Sequence, residues 1–223
     1  MSDLSLQRLN MVNSQVRPSD VTDRRIPRAM NMVPREAFVS AARKGVACLD
    51  IDLPVDVPGR GLTGRVMLAP RTFAKLLQLA AVEPTDLVLD IGCATGYSAA
   101  ILAKLGQTVV ALEADAALGQ EATRVLQSLG ADNVAVVQGD FSAGYPAEGP
   151  FDVIVVEGAV AAVPDALKGQ LKDGGRLVAI VSDGRTGRAV VWRRTGSAVS
   201  ESDGFDATAP FLPGFEPARH FVF

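Results

Sequence analysis

The residues best suited to chemistry form one run, Asp90-Ile91-Gly92-Cys93-Ala94-Thr95-Gly96-Tyr97-Ser98, followed by Glu113 at the end of the next apolar stretch. Gly92 and Gly96 let the backbone approach a bound molecule where a side chain would collide. Glu113, about 20 residues beyond Gly92, matches the acid that accepts hydrogen bonds from ribose hydroxyls, and Ala114 follows it at the same strand end. Farther on, QGDF places Asp140 where its carboxylate can accept from an adenine amino group while Phe141 packs on the ring. Standing alone, that Gly-Asp pair reads as a turn; its place in the series makes it part of a site. The glycines are spaced GxxxG rather than GxGxxG, which disfavours a pyrophosphate cradle, and no P-loop pattern occurs.

Other chemistries find little support. His220 is the sole histidine, so His-ligated metal clusters are ruled out and a Ser-His-Asp triad has one imidazole with no supporting motif. Cys48 and Cys93 stand in no CxxC or Cys/His grouping and read as reduced thiols. No metal site is expected.

Positioning such a bend requires a strand before it and a helix after it. Strands are expected at 87–91, 108–112, 134–137, 153–156 and 176–181, with helices near 98–105, 116–129 and 165–171. Strands apolar throughout and alternating with amphipathic segments argue for a mostly parallel sheet covered on both faces. The fold class is therefore α/β: a Rossmann-like, doubly wound sheet of about seven strands, with an N-terminal helical cap. The cap is read from apolar residues at helical spacing (Ile26, Met30, Val33, Phe38) interrupted by Pro18, Pro27 and Pro34. Residues 50–70, rich in proline and glycine, read as a loop; 71–81 reads as a helix whose Phe73, Leu76, Leu77 and Ala80 share one face. Two late strands are expected at 189–193 and 219–222, paired antiparallel at the edge.

At 223 residues, with 48% hydrophobic and 21% charged residues, the chain supports a single domain: 1–70 as cap and substrate loop, 71–223 as core. A net charge of −3 and a pI near 5.2 supply no basic field for nucleic acid. Without a secretory leader or an apolar run approaching the ~20 residues of a membrane span, a cytoplasmic protein is expected, as a monomer or weak dimer.

The pattern DxGxxxGY followed by a strand ending in an acid resembles that of S-adenosylmethionine-dependent methyltransferases. The likeness is closer than that. Residues 11–39, MVNSQVRPSDVTDRRIPRAMNMVPREAFV, and the stretches GDFSAGYPAEGPFDVIVVEGAV and VPDALKGQLKDGGRLV are similar to those of protein-L-isoaspartate O-methyltransferases. The resemblance covers most of 9–181 and implies S-adenosyl-L-methionine as cofactor and proteins or peptides bearing isoaspartyl residues as partners. The implied reaction methylates the free α-carboxylate of L-isoaspartyl residues, as in protein repair. It also implies cofactor contacts from Asp90, Gly92, Cys93, Ala94, Gly96, Tyr97, Ser98, Glu113, Ala114, Asp140, Phe141 and Glu157.

One segment departs from the family. Where its members typically read Gly-x-Gly-Gln-Thr-Ile-Ser-x-Pro, anchoring on Pro70 places Arg65, Val66, Met67 and Leu68, so neither hydroxyl survives. Two readings follow. Arg60, Arg65 or Arg71 clamps a substrate carboxylate, with Thr63 supplying a hydroxyl from a shifted register; or the chain keeps the cofactor site and has a different acceptor or no activity. Glu157, in EGAV, sets an acid near the pocket that would repel an anionic substrate.

Overall fold

A computed structural model describes residues 3–217. The expected strand at 219–222 and His220 lie outside the described residues. The N-terminal cap consists of helix α1 (Asp3–Met11), a π-helical turn over Val12–Val16, helix α2 (Arg25–Met32) and two short 3-10 turns. Its apolar residues Met11, Val16, Ile26, Met30 and Phe38 are buried.

Residues 50–70 are not a loop. They form an antiparallel hairpin of β1 (Leu53–Val57) and β2 (Gly61–Met67), with Leu53 opposite Met67 and Val57 opposite Gly61. Three glycines in left-handed conformations, Gly59, Gly61 and Gly64, make the turn and its bulged return possible. Residues of alternating burial, Leu53 and Val55 on one strand and Arg65 and Met67 on the other, face inward.

Helix α3 (Pro70–Ala80) starts on a proline, whose missing N–H costs nothing at that position, and buries Phe73, Leu76, Leu77 and Ala80. The sheet then runs through β3 (Leu87–Ile91), β4 (Thr108–Glu113), β5 (Val134–Gln138), β6 (Phe151–Val160), β7 (Leu171–Ser182), β8 (Gly187–Thr195) and β9 (Ala198–Asp206). The strand order is β5-β4-β3-β6-β7-β8-β9; β5 to β7 are parallel neighbours, whereas β8 and β9 pair antiparallel. Strand order reverses beside β3, which pairs with β4 on one side and β6 on the other; a ligand crevice belongs at the carboxyl ends there.

Helices α4 (Tyr97–Leu102) and α5 (Ala116–Ser128) follow β3 and β4, and a short α6 (Asp165–Lys168) precedes β7. The strands are apolar on both sides because both sides are covered. Val88 joins a core with the cap, α3, α4 and α5, while Leu89 and Ile91 join a second core with Leu167, Trp192 and Leu212. Strand β9 was not expected: its sequence AVSESDGFD is almost wholly exposed, and its charges keep an edge strand from pairing further.

Asp115 caps α5, its Oδ1 accepting from Ala117 N at 2.9 Å and Leu118 N at 3.3 Å. Asp115→Ala is expected to lower stability by about 1 kcal/mol, most of which Asp115→Asn retains, read as shifts in thermal midpoint.

Candidate active site

Strand β3 delivers Asp90 fully buried, with one carboxylate oxygen accepting from Ser98 Oγ at 2.7 Å. The chain then turns through Gly92 (φ 84°) and Gly96 (φ 95°), with Ala94 also left-handed at φ 50°. A Cβ on Gly96 would stand 3.0 Å from Leu126 Cδ1, so close packing of α4 against α5 requires the glycine. Thr95 Oγ1 donates to Phe38 O at 2.7 Å, fastening the bend to the N-terminal cap. The cap is fixed in turn by the buried Arg35, which donates to Ala47 O at 2.7 Å and Leu68 O at 2.8 Å and lies 4.6 Å over the Tyr97 ring.

Glu113 closes β4 with a buried carboxylate. It accepts from the backbone N–H of Ala94 (2.8 Å), Ala114 (3.0 Å) and Asp115 (3.1 Å). Burial raises its pKa, and Arg65 and those N–H groups pull it back. The structure therefore brings the bend and Glu113 together. Phe141 is buried at the same place, whereas Asp140 is exposed and turns onto its own loop, accepting from Ser142 N at 2.7 Å and Ser142 Oγ at 2.8 Å. Ala114 is exposed, and Cys93 is a free buried thiol whose pKa burial pushes well up.

The four substrate-loop residues do not gather. Arg60 pairs with Asp115 (2.6 Å) and Arg71 with Asp50 (3.4 Å), both with exposed guanidinium groups. Thr63 Oγ1 donates to Val55 O across the hairpin. Arg65 goes inward. Its Nη1 meets both Glu113 oxygens at 3.0 and 3.2 Å, its Nη2 donates to Gly92 O at 2.8 Å, and its guanidinium lies 5.1 Å from the Phe141 ring centre.

Glu157 sits in an irregularity of β6, where the pairing with β7 slips between Val155 and Ala159. Such bulges re-aim side chains next to sites. Its carboxyl is buried among the lining of the remaining crevice with Met67, Leu68, Cys93, Tyr97 and Ser98, and burial raises its pKa well above the ordinary range, with the charge of Asp90 adding to the effect.

Sequence reasoning missed the tail. Pro210–Phe215 lies along β6, with Ala159 N donating to Pro210 O at 2.9 Å and Leu212 N to Ala159 O at 3.0 Å. Leu212 is packed so closely that a Cβ on Gly92 or Gly158 would stand 2.9 or 2.7 Å from its side chain. The apolar FLPGF between polar flanks is the one signal that could have marked it.

A doubly wound sheet with a glycine bend at its switch point and an acid ending the neighbouring strand defines a Rossmann-like methyltransferase domain. The chain belongs to the protein-L-isoaspartate O-methyltransferase family: the sequence profile described as protein-L-isoaspartate(D-aspartate) O-methyltransferase (PCMT) matches residues 7–209. It is 34% identical over 224 residues to the protein-L-isoaspartate O-methyltransferase of Koribacter versatilis, covering 98% of this chain and 97% of that one. It is 41% identical over 176 residues to that of Methylorubrum extorquens, covering 79% and 74%. A solved protein-L-isoaspartate O-methyltransferase superposes with a TM-score of 0.81 at 25% identity, over 95% of this chain and 67% of the other. A Plasmodium falciparum structure described as a beta-aspartate methyltransferase in complex with S-adenosyl-L-homocysteine shares the fold, with a TM-score of 0.76 at 18% identity over 91% and 96%.

The methyl donor of this family is S-adenosylmethionine. In the conformation described, the residues do not fit it. Arg65 and Leu212 fill the space over Gly92, Arg65 occupies Glu113, and the crevice beside them holds about 10 Å³, room for one water against the several hundred Å³ of ligand pockets.

Proposed function

We propose that the chain is a protein carboxyl methyltransferase acting on L-isoaspartyl residues of damaged proteins. The observation that carries this reading is family membership running from the N-terminal cap through the whole sheet, at 34% identity over 98% of the chain. An isoaspartyl α-carboxylate is anionic at neutral pH, since an unperturbed carboxyl titrates near 3.9, so its oxygen is a nucleophile without a general base. What the protein must supply is alignment in a water-poor site. The cap supports this: Thr95 and Arg35 hold it over the bend, and Tyr97 packs edge-on against Phe38 at 5.5 Å. Burial disfavours charge on Glu157, which weakens the repulsion an acid there would exert on an anionic acceptor.

No helix among the described residues is long and apolar enough to cross a membrane. Labelled donor supplied with an isoaspartyl peptide and with its aspartyl twin tests the function. Label is expected in the isoaspartyl peptide alone; label in neither would end the reading.

A further inference from the structure

We propose that Arg65 is an internal stand-in for the methyl donor: the β1–β2 hairpin places its guanidinium in the nucleoside crevice, and the donor binds by expelling it. The inference rests on the family reading above and concerns how the same site is opened.

Three contacts define the substitution. Arg65 Nη1 takes both oxygens of Glu113, the acid suited to ribose hydroxyls, at 3.0 and 3.2 Å. Its Nη2 lies 2.8 Å from where a Gly92 Cβ would stand, so the guanidinium uses the clearance that the glycine leaves for a ligand. Its central carbon also lies 5.1 Å from the centre of the Phe141 ring, the surface expected to carry a base. One side chain thus makes the contacts expected of the nucleoside.

Charge points the same way. Asp90, Glu113 and Glu157 are all buried around this crevice, and Arg65 is the cation whose field acts on every one of them, with Arg35 acting also on Glu157. S-adenosylmethionine carries a sulfonium and an ammonium against one carboxylate, so it too brings a net positive charge into a pocket of acids. Exchange of one cation for the other keeps a positive charge beside Glu113, the acid that Arg65 pairs with directly.

The seat is nevertheless incomplete. Asp90 Oδ1 and Glu157 Oε1 are buried without a hydrogen-bond partner. Orphaned polar atoms of this kind are costly, and a permanently filled crevice would be expected to be apolar or fully paired. The hairpin, for its part, is built to lift. Gly59, Gly61 and Gly64 hold left-handed conformations with nothing within 4 Å of an added Cβ, Leu62 is 62% exposed, and the tip is tied down by the exposed Arg60–Asp115 pair. Leu53, Val55 and Met67 anchor its base in the core, and the distal residues 57–64 can move as a flap that frees the Arg65 side chain at its edge.

The test uses S-adenosylmethionine itself with no acceptor present, so that the ligand keeps its sulfonium charge and does not react. Arg65→Ala is expected to bind it at least tenfold more tightly than the unaltered protein by calorimetric titration. Arg60→Ala, which leaves the crevice lining intact, should tighten binding by a smaller factor. In the unaltered protein at saturating ligand, amide hydrogen exchange over residues 57–65 should become faster, the reverse of ordinary ligand protection. Equal affinities with slowed hairpin exchange would overturn the plug and leave the methyltransferase reading standing. Absence of binding by all three proteins would overturn the plug and the donor crevice together.

Discussion

Glu113→Ala is expected to lower folding stability by on the order of 3 kcal/mol, one of the largest effects of any single substitution outside the apolar core. The Glu113 carboxylate has no exposed surface and Arg65 retains 7%, so removing the acid strands a guanidinium whose remaining hydrogen-bond acceptor is Gly92 O. The same change releases three backbone N–H groups, those of Ala94, Ala114 and Asp115. A lost charge-assisted pair and an orphaned donor such as the buried Ala94 N–H each cost about 1–3 kcal/mol. The guanidinium's share of the cost has a ceiling, however: it cannot exceed the free energy needed to swing Arg65 out with its hairpin. Urea unfolding of Glu113→Ala, Arg65→Met and the double variant separates the contributions. A coupling energy above about 1.5 kcal/mol is expected, with the double variant less destabilised than the two singles summed. Additive losses would mean that the pair contributes nothing as a pair.

The parts of this site that the sequence exposed are those where local chemistry and position coincide. Gly92 and Gly96 are required by backbone conformations with φ of 84° and 95°, and Glu113 by the end of an apolar strand, so each left a mark at its own position. The parallel strands were legible for the same reason, since burial on both faces demands unbroken apolar runs such as Val153 to Val156. Arg65 was legible only as a candidate clamp for a substrate carboxylate on a loop. Its destination depends on the hairpin, and the hairpin was hidden because prolines and glycines at 54, 58, 59, 61 and 64 outnumber the few residues that alternate. Strand β9 was hidden by the opposite circumstance: an edge strand with both faces in water needs no apolar alternation, and Val199 to Gly204 show none. Asp140 carries both readings at once: its position in the motif series suggested a ligand, and its Oδ1 accepts from Ser142 two residues on, the local turn that an isolated Gly-Asp implies.

The second large effect is on pH dependence, and it follows from the crevice being a nest of acids. Burial pushes the Asp90 carboxyl up to about 7, with the Ser98 hydroxyl and Arg65 drawing it down and the charge of Glu113 adding to the rise. Its ordinary value is 3.8, so between about pH 4 and 7 the unfolded chain has released a proton that the folded protein keeps. The folded state then binds more protons, and stability falls as pH rises, by up to about 1.4 kcal/mol per pH unit. This contribution is complete below pH 4 and gone once the pH passes 7. Glu113 and Glu157 are raised as well, so they act with the same sign. Asp23 is held below its ordinary value by the Arg25 guanidinium; its stabilisation is lost only as pH falls below 4, outside this window. Asp90→Asn removes the titrating group while keeping an acceptor for Ser98. Relative to the unaltered protein, the variant is therefore expected to gain roughly 2–3 kcal/mol between pH 5 and pH 8 in urea-unfolding midpoints. Parallel curves across that range would mean that Asp90 is ionised throughout, compensated by Arg65 more completely than its burial implies. A donor that displaced Arg65 would then have to replace that compensation in full, which ties the pH profile of stability to the opening of the crevice.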